Sequence, residues 1–575
     1  MKNKHAIPII LLIVISAVIF SNTFKNPFMW DDRDLIVENK YIEDLEYIPF
    51  LFSTQYWNHY YPGLKGQYRP VTLMTFALDY FFWEDNAFGY HLTNLLLHIL
   101  NVVLIYFFIF KLLEPNVRKG LINIPFLSAV FFATHPIHIE SVTWIKNRFD
   151  LVSLLFFLLS VLLFMRYTSE ERKRFRMLSY CGSLLFFPIA LLSKEMAITL
   201  PFILFFYILS FIPKDKQKKA KIAILPFFGL MIVYLVIKFG DLINIVSAVY
   251  ISEIGLYSNI LMVFKTLGYY LKLLIFPVGL NAEHVMRIPK SIFEPRVFFA
   301  LTLVVSTSII AIKKFKSSKF FFFIVLWIFL TILPVSNIIF LYPRPIAEQR
   351  LYIPSVGLCV ILAICIRNLG LKKIAVLLAL TVFIFYSSST IKRNFDWRNP
   401  IAFWQKTAEA SYNSPRAYNN LGVEYYDIGR VKKAIASYKK AIEIYPKYVL
   451  AHNNLGVAYQ AIEKNEEAIA SFKKAIELNP EYIDAYNNLA NMYMISGKKE
   501  RAISVYNKVI EMNPDYAGAY NNLAVAYYYQ KEYSLAVEYC DKAIELRAEV
   551  NPKFLALLEP YRNSNHVVNR EINGK

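Results

Sequence analysis

AIPIILLIVISAVIFSNTF, residues 6–24, holds nineteen positions without a charge. As a helix such a run crosses about 30 Å of hydrocarbon. It is longer than the apolar core of a secretory signal, and no small-x-small cleavage pattern follows, so a membrane span is expected. Ten more apolar runs begin near Tyr90, Leu121, Leu151, Met177, Met196, Ile222, Val297, Phe320, Leu351 and Ile374, which makes about eleven spans. With 56% hydrophobic residues among 575, 18% charged and a mean hydropathy of +0.37, a single soluble domain is excluded, as are disorder and collagen-like repetition.

The basic residues are placed where a membrane protein needs them. Lys and Arg number 63 against 43 Asp and Glu, a formal +20. Much of that excess lies in the short loops Arg166–Arg176, Lys214–Lys221, Lys313–Lys319 and Arg367–Lys373. Such loops stay cytoplasmic, and they explain the charge without nucleic acid. A cytoplasmic N-terminus satisfies all four if 241–296 contains an even number of crossings. Zero is the simplest choice, with Asn259–Phe276, which carries Lys265, Lys272, Tyr269 and Tyr270, as an interfacial or re-entrant helix; thirteen crossings would keep the same parity. The C-terminal part then emerges opposite the cytoplasm. Cys181, Cys359, Cys365 and Cys540 have neither disulfide-framework nor metal-ligand spacing.

Near residue 390 the apolar runs give way to a polar pattern of 34-residue period, which divides the chain into 1–390 and 391–575. AYNNLGVEYY (417–426), AHNNLGVAYQ (451–460), AYNNLANMYM (485–494) and AYNNLAVAYY (519–528) align with Ala434, Ala468, Ala502 and Ala536 and with Pro446, Pro480 and Pro514. This is the tetratricopeptide (TPR) signature, four full units with flanking helices near Pro400–Tyr412 and Pro552–Tyr561. Each helix pair needs a neighbour to cover its apolar face, so the units stack into a curved α-solenoid with a concave groove. Asn420, Asn454, Asn488 and Asn522 recur at one position. Their amides are either a ladder that holds an acceptor polypeptide by its backbone or simply solvated.

The topology collects polar groups at one face of the membrane part. They are Trp30-Asp31-Asp32, Tyr68-Arg69-Pro70, Gly89-Tyr90-His91, the segment His135 to Glu140 with His138, Asn147 to Asp150 with Arg148, Ser193-Lys194-Glu195, and Glu348 to Tyr352 with Arg350. Ionisable groups at membrane depth are costly unless paired, hydrated or used, so this clustering points to a site. A carboxylate there can act as general base on a hydroxyl, and cations near it can stabilise a phosphate leaving group. Asp31 and Asp32 are the candidate bases; Arg69, Arg148, Lys194 and Arg350 are candidates for the phosphate. His135 and His138, three apart with a proline between them, do not match the helical zinc pattern. Each signal has a plain structural counterpart. An Asp-Asp pair such as Asp31-Asp32 is by itself more often a solvated turn or helix cap; Lys194-Glu195 reads also as a buried ion pair, Asp150 as a helix cap, and Glu348 with Arg350 as interfacial anchors.

Taken in order, FMWDDRDLIVENKYI (28–42), YRPVTLMTF (68–76), FGYHLTNLLLHILN (88–101), HPIHIESVTWIKNRFDLVSLLFFLLS (135–160), LLSKE (191–195), AEQRLYIPSVG (347–357) and the repeats resemble the TMTC family of transmembrane, TPR-containing O-mannosyltransferase-like proteins. The resemblance implies a GT-C glycosyltransferase fold and a polyprenyl- or dolichyl-phosphate sugar as donor. It also implies an acid after the first span, here Asp31 or Asp32, that deprotonates the acceptor for inverting transfer. By the same resemblance His135, His138, Arg148, Lys194 and Arg350 surround the donor phosphate. Arg69, His91, Glu140, Asp150, Glu195 and Glu348, read from the same polar clusters, complete the candidate donor-phosphate and substrate group. Asn281-Ala282-Glu283-His284 departs from the Asp-Tyr-Ser-like pattern expected at that place.

The expectation is therefore an all-α protein, a polytopic bundle followed by a TPR solenoid. It would transfer a sugar, mannose by resemblance, to a Ser or Thr hydroxyl of a protein on the non-cytoplasmic face. Its partners would be a lipid-linked donor in the membrane and an acceptor polypeptide in the TPR groove, with no nucleic acid. No cofactor or metal is required by the sequence. The short loops and the Lys- and Ile-rich composition favour a bacterial inner membrane over the endoplasmic reticulum. The alternative is a non-catalytic scaffold in which the bundle only anchors the repeats.

Overall fold

The computed structural model describes residues 5–53, 56–57, 68–114, 123–239, 255–338, 344–369, 372–546 and 548–572. Among them the ordered elements are helices, with no strand. The chain forms two compact units, Met1–Phe403 and Trp404–Lys575.

In the first unit an apolar helix lies at every predicted run. Seven are long enough to cross a membrane: Ala6–Lys25, Ala87–Leu113, Ile145–Ser169, Lys173–Ser193, Lys214–Lys238, Pro295–Lys314 and Lys373–Arg398. Four are shorter: Ile124–Thr134, Glu195–Phe211, Lys319–Val335 and Ser355–Arg367. The protein is a membrane protein, and side chains such as Ile7, Ile10, Val14 and Val18 stay exposed on its first helix, where lipid takes the place of a protein neighbour. The predicted non-spanning segment forms the amphipathic helix Leu256–Ile275, outside the set of seven. Residues 240–254, on which the crossing parity of 241–296 depends, lie outside the described residues, as do Leu121 and part of the loop Arg367–Lys373.

Between helices in lipid, close packing and polar contacts replace the hydrophobic drive available in water. Arg148–Ser169 and Lys173–Ser193 form a hairpin in which Ser160 Oγ donates to Ser183 O and Ser183 Oγ donates to Ser160 O, both at 2.7 Å. Gly357 lets Ser355–Arg367 lie against Lys319–Ile332, since a Cβ there would stand 2.5 Å from Ile328 Cγ1. The short helices have a further consequence. Ile124–Thr134 has 11 residues, so it covers about 16 Å, half of a bilayer core. The polar segment that follows runs on inside the protein, and the chain from Pro125 to Ile145 is buried throughout.

The second unit is the expected solenoid. Its helix pairs are Pro415–Asp427 with Val431–Ile444, Val449–Gln460 with Asn465–Leu478, Ile483–Ile495 with Lys499–Met512, and Ala517–Tyr529 with Tyr533–Glu545. The repeating alanines 434, 468, 502 and 536 are wholly buried. The last pair is closed by Pro552–Ile572, whose Leu558 packs on Ala524, Ala536, Val537 and Cys540. The turn inside each pair needs a left-handed residue, supplied by Gly429 (φ 72°), Glu463 (57°), Gly497 (74°) and Lys531 (67°). A side chain costs about 1–2 kcal/mol in that conformation. Glu463→Gly should therefore stabilise its repeat by about 1 kcal/mol and Gly497→Ala should destabilise its own by a similar amount. Amide hydrogen exchange of the full chain, read repeat by repeat, checks both signs.

Candidate functional site

The loop after the first span turns sharply at Trp30, a non-glycine residue with φ 55°. The turn sends the two following carboxylates in opposite directions. Asp32 points inward, is 1% exposed, and accepts from Met29 N at 3.0 Å and Lys146 N at 2.7 Å. Burial pushes its pKa up to about 7, against the pull of those two bonds. Asp31 points outward; its side chain is 32% exposed and pairs with Lys146 Nζ. The Trp30 indole stacks on Trp144 at 4.3 Å and 6°, with the Arg344 guanidinium 5.4 Å from the Trp30 ring.

Lys146 begins a second pattern. Lys146 lies in the 3-10 turn Ile145–Asn147, and Arg148 and Asp150 open the helix Arg148–Ser169 that follows it. Arg148 is fully buried and occupied within the protein. It donates to Asn94 Oδ1 (2.7 Å), Thr75 O (3.1 Å) and Tyr90 O (3.1 Å), and it pairs with Asp79. Asp150 pairs with Lys194. Glu195 turns away from its neighbour Lys194 and receives Arg69 through Nη2 (2.9 and 3.0 Å) and Nε (3.3 Å), with Lys238 Nζ at 3.3 Å. Asp31–Lys146 and Asp150–Lys194 are thus ion pairs made by Lys146 and Asp150, four apart along the chain, and Glu195 directly follows Lys194.

A third group holds the segment that leaves Leu256–Ile275. His135 Nε2 donates to Leu274 O (3.0 Å), Arg393 to Leu280 O and Arg344 to Ala282 O (2.5 Å each). Glu348 accepts from Asn281 N, from His284 Nε2 at 2.9 Å and from Arg393 at 3.0 Å. Glu140 accepts from Arg344 at 2.6 Å and Gln349 N at 3.2 Å. Burial raises both acids, but for Glu348 the guanidinium of Arg393 and His284 prevail and hold it below the ordinary range; Glu140 stays above it.

These placements divide the sequence candidates. Asp31, Arg69, Glu195 and Arg350 keep accessible surface, whereas Asp32, His91, His135, His138, Arg148 and Asp150 are buried and bonded inside the protein. His91 Nε2 donates to Asn26 O (3.1 Å), and His138 Nε2 shares a hydrogen bond with Ser355 Oγ (2.8 Å). With His135 Nδ1 accepting from Ile137 N (3.1 Å), both nitrogens of that ring are engaged. Arg350 donates to Pro345 O at 2.9 Å and has no carboxylate partner among the described residues. Two plain structural readings change. Lys194 and Glu195 do not pair with each other, because each faces a different helix; Asp150 serves Lys194 and leaves the cap position to Asn147. Among the described residues no group of three His, Cys, Asp or Glu is arranged to hold a metal.

Lys146, Lys238, Arg344, Arg393 and Asp79 were not singled out from the sequence. For Lys238 and Asp79 a signal existed, a lone charge within or at the end of an apolar helix, whereas Arg393 sits beside Lys392 in the basic last turn of its own. His284, which departs from the expected pattern, takes part in the Glu348 group.

In the second unit the repeated asparagines bond to each other across repeats. Asn454 Nδ2 donates to Asn419 Oδ1 (3.1 Å), Asn488 to Asn453 (3.0 Å) and Asn522 to Asn487 (3.0 Å). The ladder links neighbouring repeats, an arrangement that neither sequence reading contained.

Family models described as "TPR repeat" match residues 422–463 and 490–531, and models described as "Tetratricopeptide repeat" match 449–482, 471–504 and 517–549. The chain is 27% identical over 450 residues to "Protein O-mannosyl-transferase F38B6.6" of Caenorhabditis elegans, covering 76% of this chain and 63% of that one. It is 25% identical to human "Protein O-mannosyl-transferase TMTC3", covering 78% and 52%, and 26% identical to human "Protein O-mannosyl-transferase TMTC1", covering 76% and 55%. The chain thus spans between half and two thirds of the length of these relatives, and they are the TMTC proteins to which the membrane motifs point.

Asp32 gives the site a pH signature in stability. Its carboxyl is raised from 3.8 to about 7 in the fold, so the folded state favours the protonated form. That contribution is complete below the unfolded pKa and is lost as pH rises through about 7. Thermal unfolding of the detergent-solubilised protein should show wild type losing stability relative to Asp32→Asn as pH climbs from 4 to 7. Parallel curves for the two proteins contradict this assignment.

Proposed function

We propose that this protein, like the O-mannosyltransferases it resembles, is a glycosyltransferase. It moves a sugar, mannose on the strength of those relatives, from a polyprenyl- or dolichyl-phosphate donor to a Ser or Thr hydroxyl of a polypeptide. The observation that carries the reading is the partly exposed Asp31 carboxylate in the loop after the first span, paired with Lys146 four residues before the Asp150 that holds Lys194, with Arg69 and Lys238 gathered at the adjacent Glu195. In the reaction Asp31 takes the proton of the acceptor hydroxyl, whose oxygen attacks the anomeric carbon. The bond from that carbon to the phosphate oxygen breaks with inversion, and the lipid phosphate leaves toward Arg69, Lys194 and Arg350. Asp32, His135, His138 and Arg148 hold the loops; Glu140 and Glu348 position Arg344, Gln349 and the segment at Asn281.

The donor keeps its isoprenoid tail in lipid and presents its phosphate at the ends of the helices, on the non-cytoplasmic face. The short loops and the Lys- and Ile-rich composition favour a bacterial inner membrane. The TPR unit binds the acceptor chain, and tethering that unit to the enzyme raises the effective concentration of hydroxyls. The inter-repeat asparagine ladder stiffens the surface on which an extended backbone lies.

Asp31→Asn keeps the size of the side chain and removes the base. Transfer of labelled sugar from a polyprenyl-phosphate donor by purified protein should fall about 100-fold or more. Asp32→Asn should lower it less, through the loop it holds. Undiminished transfer by Asp31→Asn overturns the site, and a wild-type protein that transfers nothing while still assembling partners through its repeats favours the anchored scaffold.

A further inference from the structure

Glu195 is held in an unusual way. Its carboxylate is 32% exposed, yet the cations that hold it are sunk beneath it, with Arg69 at 13% and Lys238 at 5%. Lys194, at 6%, pairs with Asp150 on the adjoining helix turn. Lys238 also donates to Tyr234 Oη at 3.1 Å, and the Arg69 guanidinium lies 4.7 Å from the Phe149 ring, so both cations are fixed from behind. Arg69 engages both carboxylate oxygens, the forked geometry that guanidinium also adopts with phosphate. The group has three cations and two carboxylates. An unbalanced positive charge in a half-buried place is costly and attracts an anion.

We infer that Arg69, Lys238 and Lys194 form a phosphate-binding position that Glu195 occupies as a tethered stand-in, and that a phosphate ester binds by displacing the Glu195 carboxylate. The carboxylate is partly accessible, and the bonds that hold it come from the same two cations a phosphate would take, so it can swing away while Arg69 and Lys238 stay fixed by Phe149 and Tyr234. Glu195 thereby sets the affinity of the position. Without an anion it neutralises the cations; with one bound it is released to solvent. The inference deepens the proposed donor site and rests on that reading for its choice of lipid probe, but binding is measured without transfer, so either idea can fail alone.

The test uses the full-length protein in detergent with a long-chain polyprenyl monophosphate, the corresponding polyprenol, and inorganic phosphate. The polyprenyl phosphate should bind wild type, Glu195→Gln roughly tenfold more tightly and Lys238→Gln roughly tenfold more weakly. Carbodiimide labelling of Glu195 in the unaltered wild-type protein, which requires no substitution, should rise several-fold when the phosphate saturates and stay constant with the polyprenol. Inorganic phosphate that raises the labelling at matched occupancy supports a site for the phosphate group alone; an effect confined to the lipid supports a headgroup site. Constant Glu195 labelling at saturating lipid phosphate, or Glu195→Gln binding no more tightly than wild type, overturns the inference. If these results hold while no sugar is transferred, the anion site stands and the transferase reading falls.

Discussion

A guanidinium without access to water dominates the membrane unit. Arg148 is 0% exposed at the start of a helix that continues into the bundle. Such a charge is tolerated only when each of its donors is met. Asp79, Asn94, Thr75 and Tyr90 meet them, and these residues come from two further helices, Pro70–Trp83 and Ala87–Leu113. The requirement fixes three helix ends against one another. With Arg148 pinned, its near neighbours in the chain are held too, and Lys146 and Asp150 meet Asp31 and Lys194.

Charge pairing and helix length act together. A bundle of uniformly long helices would carry its polar loops outside the hydrocarbon, where water screens them. Ile124–Thr134 and Ser355–Arg367 stop short, and the segments joined to them bring Glu140, Glu348 and Arg344 into the protein interior, where Arg393 reaches Glu348 from the end of Lys372–Asn394. There each carboxylate must be matched, which is why Arg344 and Arg393 grip both acids and the backbone carbonyls of Ala282 and Leu280. Rigid surroundings of this kind suit a site that holds charge in fixed positions, and Asp31 and Glu195, which keep exposed surface while paired to cations, stand out against the buried acids Asp32, Glu140, Asp150 and Glu348.

Much of this was legible beforehand. The eleven apolar runs and the 34-residue period are local patterns, and each became the helix or helix pair it predicted. The polar clusters were visible because charged residues are rare between apolar runs. What they bonded to was not visible. Lys194 and Glu195 are adjacent and opposite in charge, yet Lys194 faces Asp150 and Glu195 faces Arg69 and Lys238. Asp31 and Asp32 look equivalent as a pair, but the left-handed turn at Trp30 buries one and exposes the other.

The amino-acid sequence alone determined that this chain crosses a membrane many times, ends in four tetratricopeptide repeats, and gathers acids and bases near its span ends. Hydropathy and periodicity act over a few turns of helix, so neighbours in the chain suffice to express them. Only the tertiary structure decided which charge meets which, since the partners stand far apart in sequence: 126 positions separate Arg69 from Glu195 and 204 separate Arg344 from Glu140. A buried charge takes whichever counter-charge the packed helices bring within about 3 Å, and that choice belongs to the whole fold.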